Sequence, residues 1–294
     1  MFIRIFEKLD KRKIYDLNIK IKFYDYKMWL NALYLGALID IVNIPYDRGG
    51  NIEGSKHAYL KLQSKLNFLH VDNVNFIDCE NIKVRDILGN CFLCCWDTLN
   101  KGNFPLLVGG DHTTAISSVY AANEYCITKR EMLGVLWFDA HADFNTIETS
   151  PSGNIHGLPV AVLCGHTLNE LSYGNNLETC QFGFYGIRDI DSLELNRFQY
   201  YNMNILDSER DFKEWISIFD KIHLSFDMNC LDPSIMDSVN TKVKNGLTME
   251  KVREKLKMIK ESNKLMSMDL VEYNPLLVDN SDVVEDILKT LFEK

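Results

Sequence analysis

Residues 134–145 read GVLWFDAHADFN. An apolar run ends in Asp139, and then His141 and Asp143 follow at every second position. In an extended segment alternate residues share one face. Two carboxylates and an imidazole then point together, a donor set suited to hard-to-borderline ions such as Mn²⁺, Fe²⁺ or Zn²⁺. An ordinary polar loop after a buried strand has no need of three potential ligands in strict alternation.

The same grammar recurs along the chain. Short apolar runs at 37–45 (ALIDIVNIP), 74–79 (VNFIDC), 104–110 (FPLLVGG), 179–189 (TCQFGFYGIRD), 221–227 (KIHLSFD) and 265–272 (LMSMDLVE) read as strands. Between them lie helix-period stretches at 83–100, 114–128, 159–165, 212–221, 248–262 and 281–294. Strands alternating with helices predict an α/β fold with a largely parallel sheet, its strands nearly continuous apolar runs because helices cover both faces. Neither a linker nor an internal repeat interrupts the pattern. We expect residues 36–294 to form one domain, with residues 1–35 an extension packed on it.

Composition narrows the function. The 294 residues are 46% hydrophobic and 25% charged, ordinary for a globular protein with a large core. A net charge of −9 leaves no basic footprint, so nucleic acid is not an expected partner, whereas a small cationic substrate suits the sign of the field. No apolar run is long enough for a membrane span. The eight cysteines follow no paired spacing, which implies reduced thiols and a cytoplasmic location. Phe92, Cys95, Trp96 and Leu99 have helix spacing and read as a core face. The N-terminus carries Glu7 and Asp10 and lacks serine, unlike a transit peptide.

In parallel α/β sheets ligands bind beyond the carboxyl ends of the strands. Four of those ends carry chemistry here: GGDH (109–112), DAHADFN (139–145), SFDMNCLD (225–232) and DLVEYN (269–274). His112, after glycines that permit a sharp turn, is a plausible fourth ligand beside Asp139, His141 and Asp143. Asp227 makes a fifth and shares an extended face with Asn229. So many ligands exceed the needs of one tetrahedral ion, and two ions with bridging carboxylates account for them better; such a centre holds a hydroxide nucleophile at neutral pH.

Taken in order, GGDH, DAHADFN, SGNIHG and SFD-x-N-x-LDP resemble the ureohydrolase family of arginases and agmatinases, from about residue 38 to the last helix. The stretches SPSGNIHGLPVAV, YGIRDID and SMDLVEYNP look most like arginase, and LDPSIMDS lacks the Ala-Pro-Gly usual in agmatinases. The resemblance implies a three-layer α/β/α fold with a mostly parallel sheet of about eight strands. It implies two Mn²⁺ per subunit, the first held by His112, Asp139, Asp143 and Asp227. Asp139, His141 and Asp227 would hold the second with Asn229, which stands where the family has an aspartate. A neutral amide offers less than a carboxylate, so the second ion is expected to be weakly bound. His156 matches the proton-shuttling histidine. Asn145, Ser152 and Asn154 match positions that hold an amino acid's carboxylate, and Asp191 the one facing its amino group. Thr241 and Glu272 match residues near the guanidinium, with His156, Asp143 and Glu272 as the catalytic set. The implied reaction is hydrolysis of L-arginine to L-ornithine and urea by a homotrimer or other homo-oligomer. The alternatives are a ureohydrolase for another guanidino compound such as agmatine, and an impaired pseudoenzyme with a binding or regulatory role.

Overall fold

The computed structural model of the chain describes residues 38–293; the N-terminal extension expected at 1–35 lies outside them. Eight strands form one sheet: β1 (Ile39–Ile44), β2 (Val71–Phe76), β3 (Phe104–Gly109), β4 (Leu133–Phe138), β5 (Phe182–Tyr185), β6 (Asn204–Ile205), β7 (Lys221–Asp227) and β8 (Leu265–Val271). Their order is β2-β1-β3-β8-β7-β4-β5-β6, and every pairing is parallel. This is the α/β architecture that the alternating pattern predicts.

Helices α1 (Ala58–Leu62), α2 (Val84–Lys101), α3 (Ala115–Lys129), α4 (Pro159–Leu163), α5 (Ser192–Tyr200), α6 (Glu209–Ile218), α7 (Met249–Ser262) and α8 (Ser281–Phe292) cover both faces. Alternation within each strand decides which residue meets which layer. Val135 and Trp137 of β4 join Ile87, Cys91, Val119 and Val160 in the core under α2, α3 and α4. Phe138 points the other way and meets Phe212 of α6 edge-on. Burial of β3 and β4 is complete on both sides, which is why they read as unbroken apolar runs; β1 is equally buried but carries Asp40 and Asn43.

Several elements depart from the sequence reading. β2 spans VDNVNF rather than VNFIDC, and most of it is exposed because it is an edge strand. An edge needs no apolar run, so its polar half carried no signal. The two-residue β6 and the short α1 were too brief to register, and α5 was missed. On α2 the buried stripe is Ile87, Leu88, Cys91, Cys95 and Leu99. Phe92 and Trp96 flank it, stacked on each other.

Arg188 fixes the carboxyl edge. Its guanidinium donates to the carbonyls of Gly186, Asn229, Cys230, Leu231, Val243 and Lys244 at 2.8–3.3 Å. It thereby ties the segment after β5 to the one after β7. A lysine has a single compact ammonium and cannot spread over six acceptors. Arg188→Lys should therefore destabilise the protein by about 2–4 kcal/mol, the cost of several carbonyls left short of a charged donor. An unchanged midpoint of urea denaturation would show that the six contacts carry no stability.

Candidate functional site

Strand order brings distant sequence together. β3, β8, β7 and β4 are consecutive in the middle of the sheet and parallel, so the segments after Gly109, Val271, Asp227 and Phe138 emerge side by side. His112 opens a short 3-10 turn after β3, capped by the Asp111 carboxylate on the Thr113 N–H at 3.0 Å. The glycine before it is required for a different reason than a sharp turn. Gly110 has no positive φ, but a Cβ there would lie 1.9 Å from the Tyr46 carbonyl oxygen.

His112 is buried, stacked on Trp137 with ring centroids 4.2 Å apart. Its Nδ1 lies 3.0 Å from Asp139 Oδ2, 3.0 Å from Asp143 Oδ2 and 3.3 Å from Asp227 Oδ2. None of the three has hydrogen-bond geometry to it, and Asp143 Oδ2 has no partner at all. Nε2 sits 2.9 Å from Ser225 Oγ, which donates its own proton to Asp269 Oδ1 at 2.7 Å. Ser225 must then accept from an Nε2–H. Nδ1 is left to take either a proton or a cation. Neighbouring ligands around an octahedral ion with bonds of about 2.1 Å stand ~3.0 Å apart, which is the spacing found here. The residues fit a divalent cation, and His112, Asp139 and Asp227 converge closely enough to share one.

The electrostatics agree. Burial and the charge of Asp139 raise Asp143, and raise Asp227 well above the ordinary carboxyl range. Burial also pushes Asp139 up, but the close imidazoles of His112 and His141 outweigh it and hold that carboxyl low. Burial lowers His112, yet its three carboxylates lift it well above the usual imidazole range. They also carry His141 to about 10, against burial. Three buried acids demand positive charge, and without a metal the histidines must supply it.

The alternation expected for these ligands is not that of a strand. β4 ends at Phe138, and Asp143 lies in the left-handed region with φ 49°. Asn229 sits in a 3-10 turn, Met228–Cys230, capped by Asp227 rather than beside it on an extended face. The side chains converge nonetheless, because each turn folds back onto its own strand end.

A cleft of about 310 Å³ opens above this cluster. Its wall includes His112, His141, Asp143, Asn145, Ser152, His156, Asp191, Asp227, Asn229, Thr241 and Glu272. Asp139 is fully buried behind them, and Asn154 is not on the wall. Glu272, with φ 64°, accepts from the His112 N–H at 2.9 Å and stands 3.1 Å from His156 Nδ1, both through Oε1. Its Oε2 is buried and unpartnered. Burial lowers His156, but Glu272, with Asp111 and Asp143 behind it, lifts it to about 9. Asp191 caps α5 through Oδ1 and takes the Asn145 amide through Oδ2 at 2.6 Å. Glu194, Asp189 and Ser150 also line the cleft and were missed from sequence. Glu194 is pushed up to about 8 by burial. Its signal was available: three residues after Asp191, it completes the acidic start of a helix.

Fold and site together define a parallel α/β protein with a carboxylate-rich, cation-accepting centre at the carboxyl edge of its sheet. The model of the Arginase family matches residues 41–291, and the chain belongs to that family of ureohydrolases. It is 34% identical over 277 residues to an arginase of Bacillus caldovelox, covering 81% of this chain and 91% of that one. With an arginase of Staphylococcus aureus (strain MRSA252) it shares 33% over 204 residues, 64% of this chain and 66%, about two thirds, of the relative's length. The crystal structure of arginase from Bacillus subtilis superposes with a TM-score of 0.79 at 27% identity, covering 87% of this chain and 99% of that one. Among the described residues no helix is long and apolar enough to cross a membrane.

The His156–Glu272 pair gives a pH signature. The folded value of His156, about 9, lies above its ordinary one. The pair's stabilisation is thus complete below a pH of about 6.5 and is lost as pH rises through the folded value. In metal-free protein, an NMR titration of the His156 ring should show the raised midpoint, and Glu272→Gln should return it toward about 6.5. A midpoint indifferent to that substitution would remove Glu272 as the cause.

Proposed function

We propose that the protein hydrolyses the guanidinium of L-arginine to L-ornithine and urea, with Mn²⁺ held by His112, Asp139, Asp143 and Asp227. The observation that carries this reading is Glu272. One oxygen is held by the His112 N–H and His156, and the other is buried, unpartnered and beside the cleft. A planar cation with paired N–H donors satisfies such a carboxylate and is oriented by it.

A divalent ion in this cluster supplies one thing, a water made nucleophilic near neutral pH. The rest belongs to the chain. Glu272 binds and orients the guanidinium. The Cζ–Nε bond breaks on the side of His156, whose imidazolium, favoured by Glu272, gives a proton to the departing amine. Asp191 and Glu194 face the substrate's amino group, and Asn145 and Ser152 its carboxylate; this end of the cleft favours an α-amino acid over agmatine. Thr241 completes the wall near the guanidinium.

Asn229 favours a second reading, a family member that binds without turning over. Both are tested by urea release with excess Mn²⁺, from L-arginine and from agmatine. We expect urea from arginine, a fall in kcat/KM of ~100-fold or more in Glu272→Gln, and a fall in kcat larger than any change in KM in His156→Asn. Urea from agmatine alone would move the substrate. Silence on both would favour the binding role.

A further inference from the structure

We propose that this chain holds one divalent cation and not two, because the amide NH₂ of Asn229 occupies the second position with hydrogen bonds. The inference rests on the reading of His112, Asp139, Asp143 and Asp227 as a cation site.

The orientation of the amide is what matters, and it is fixed by a neighbour. Asn229 Oδ1 lies 2.9 Å from the backbone nitrogen of Ala140. That N–H can only donate, so the atom facing it must be the oxygen. The nitrogen then faces inward, with Asp227 Oδ2 at 2.8 Å and His141 Nδ1 at 3.1 Å. Ala140 and Asn229 are both buried, at 0% and 3% exposure, so water does not take the place of the amide oxygen at the Ala140 N–H.

Each consequence works against a second ion. The amide nitrogen has no lone pair to give a metal. The oxygen that does is committed to Ala140, and turning it inward would orphan a buried N–H. Asp227 Oδ2 already accepts the Asn229 amide. His141 Nδ1 either accepts from Asn229 or carries a proton of its own, and in both cases has no electron pair free. Its other nitrogen faces outward, 3.6 Å from Asp189. The three carboxylates of the first site keep their convergence on His112 Nδ1 throughout.

The test is metal stoichiometry. Full-length protein is equilibrated with excess Mn²⁺, freed of loose ions by gel filtration, and assayed by mass spectrometry for metal and by electron paramagnetic resonance. The expected result is one Mn²⁺ per chain with the six-line spectrum of an isolated ion. Asn229→Asp should bind two and show the broadened spectrum of a coupled pair, its second ion held at least ~100-fold more tightly than in the unmodified protein. Two tightly held, coupled ions in the unmodified protein would overturn the proposal, whatever the variant does. Absence of any bound ion would overturn it together with the cation site itself. One bound ion without urea release would support the proposal while the hydrolytic reading fails.

Discussion

Three buried carboxylates crowd one imidazole nitrogen at the floor of the cleft, and the rest of the protein is arranged to make that tolerable. Asp139 and Asp227 are 0% and 1% exposed, and Asp143 is barely more accessible. Such a cluster repels itself unless a cation sits among the oxygens. The sheet contributes rigidity rather than charge. Of four consecutive parallel strands, β3, β7 and β4 hold the ligands at their carboxyl ends and β8 holds Glu272 beside them.

The support continues inward. His223, Ser225, Ser267 and Asp269 are polar residues in the middle of β7 and β8, paired across the strands in register. Asp269 accepts from Ser225 at 2.7 Å and Ser118 at 2.8 Å and meets His223 at 2.7 Å. The chain of contacts ends at His112 Nε2, so its effect is to choose which nitrogen of His112 faces the site. Outer contacts of this kind orient ligands and set their basicity. Asp143 and Glu272 add a second constraint: both are non-glycine residues held at positive φ beside the cleft. Backbone strain of that kind persists where surrounding structure over-determines it.

Much of this was legible in the chain. The buried strands announced themselves as apolar runs, and the motifs at their ends stood out because aspartates and histidines rarely follow such runs in clusters. What was hidden is of two kinds. Short or exposed elements, β6 and the first half of β2, have no apolar periodicity to read. Residues such as Ser225 matter through contacts across the fold, here 2.9 Å from His112 Nε2, and local sequence does not contain the partner. The spacing of Asp139, His141 and Asp143 pointed to convergence for a reason that does not hold, since the segment turns rather than extends. The outcome survived because ligands two apart can meet through a tight turn as well as across a pleat.

Asn229 shows where sequence reading stops. On paper it is an aspartate with one charge removed, a poorer ligand at the same place. In the fold the change is larger than the charge, because an amide has a polarity that a carboxylate lacks. A carboxylate presents acceptors in both directions, so it can satisfy the Ala140 N–H and still offer an oxygen to a cation. An amide must choose, and Ala140 makes the choice. The hydrogens turn inward, and Asp227, which would have shared a positive ion with His141, accepts a hydrogen bond from a neutral donor instead. The site loses a ligand and gains a plug by one substitution, and only the position of a backbone N–H decides that the second effect accompanies the first.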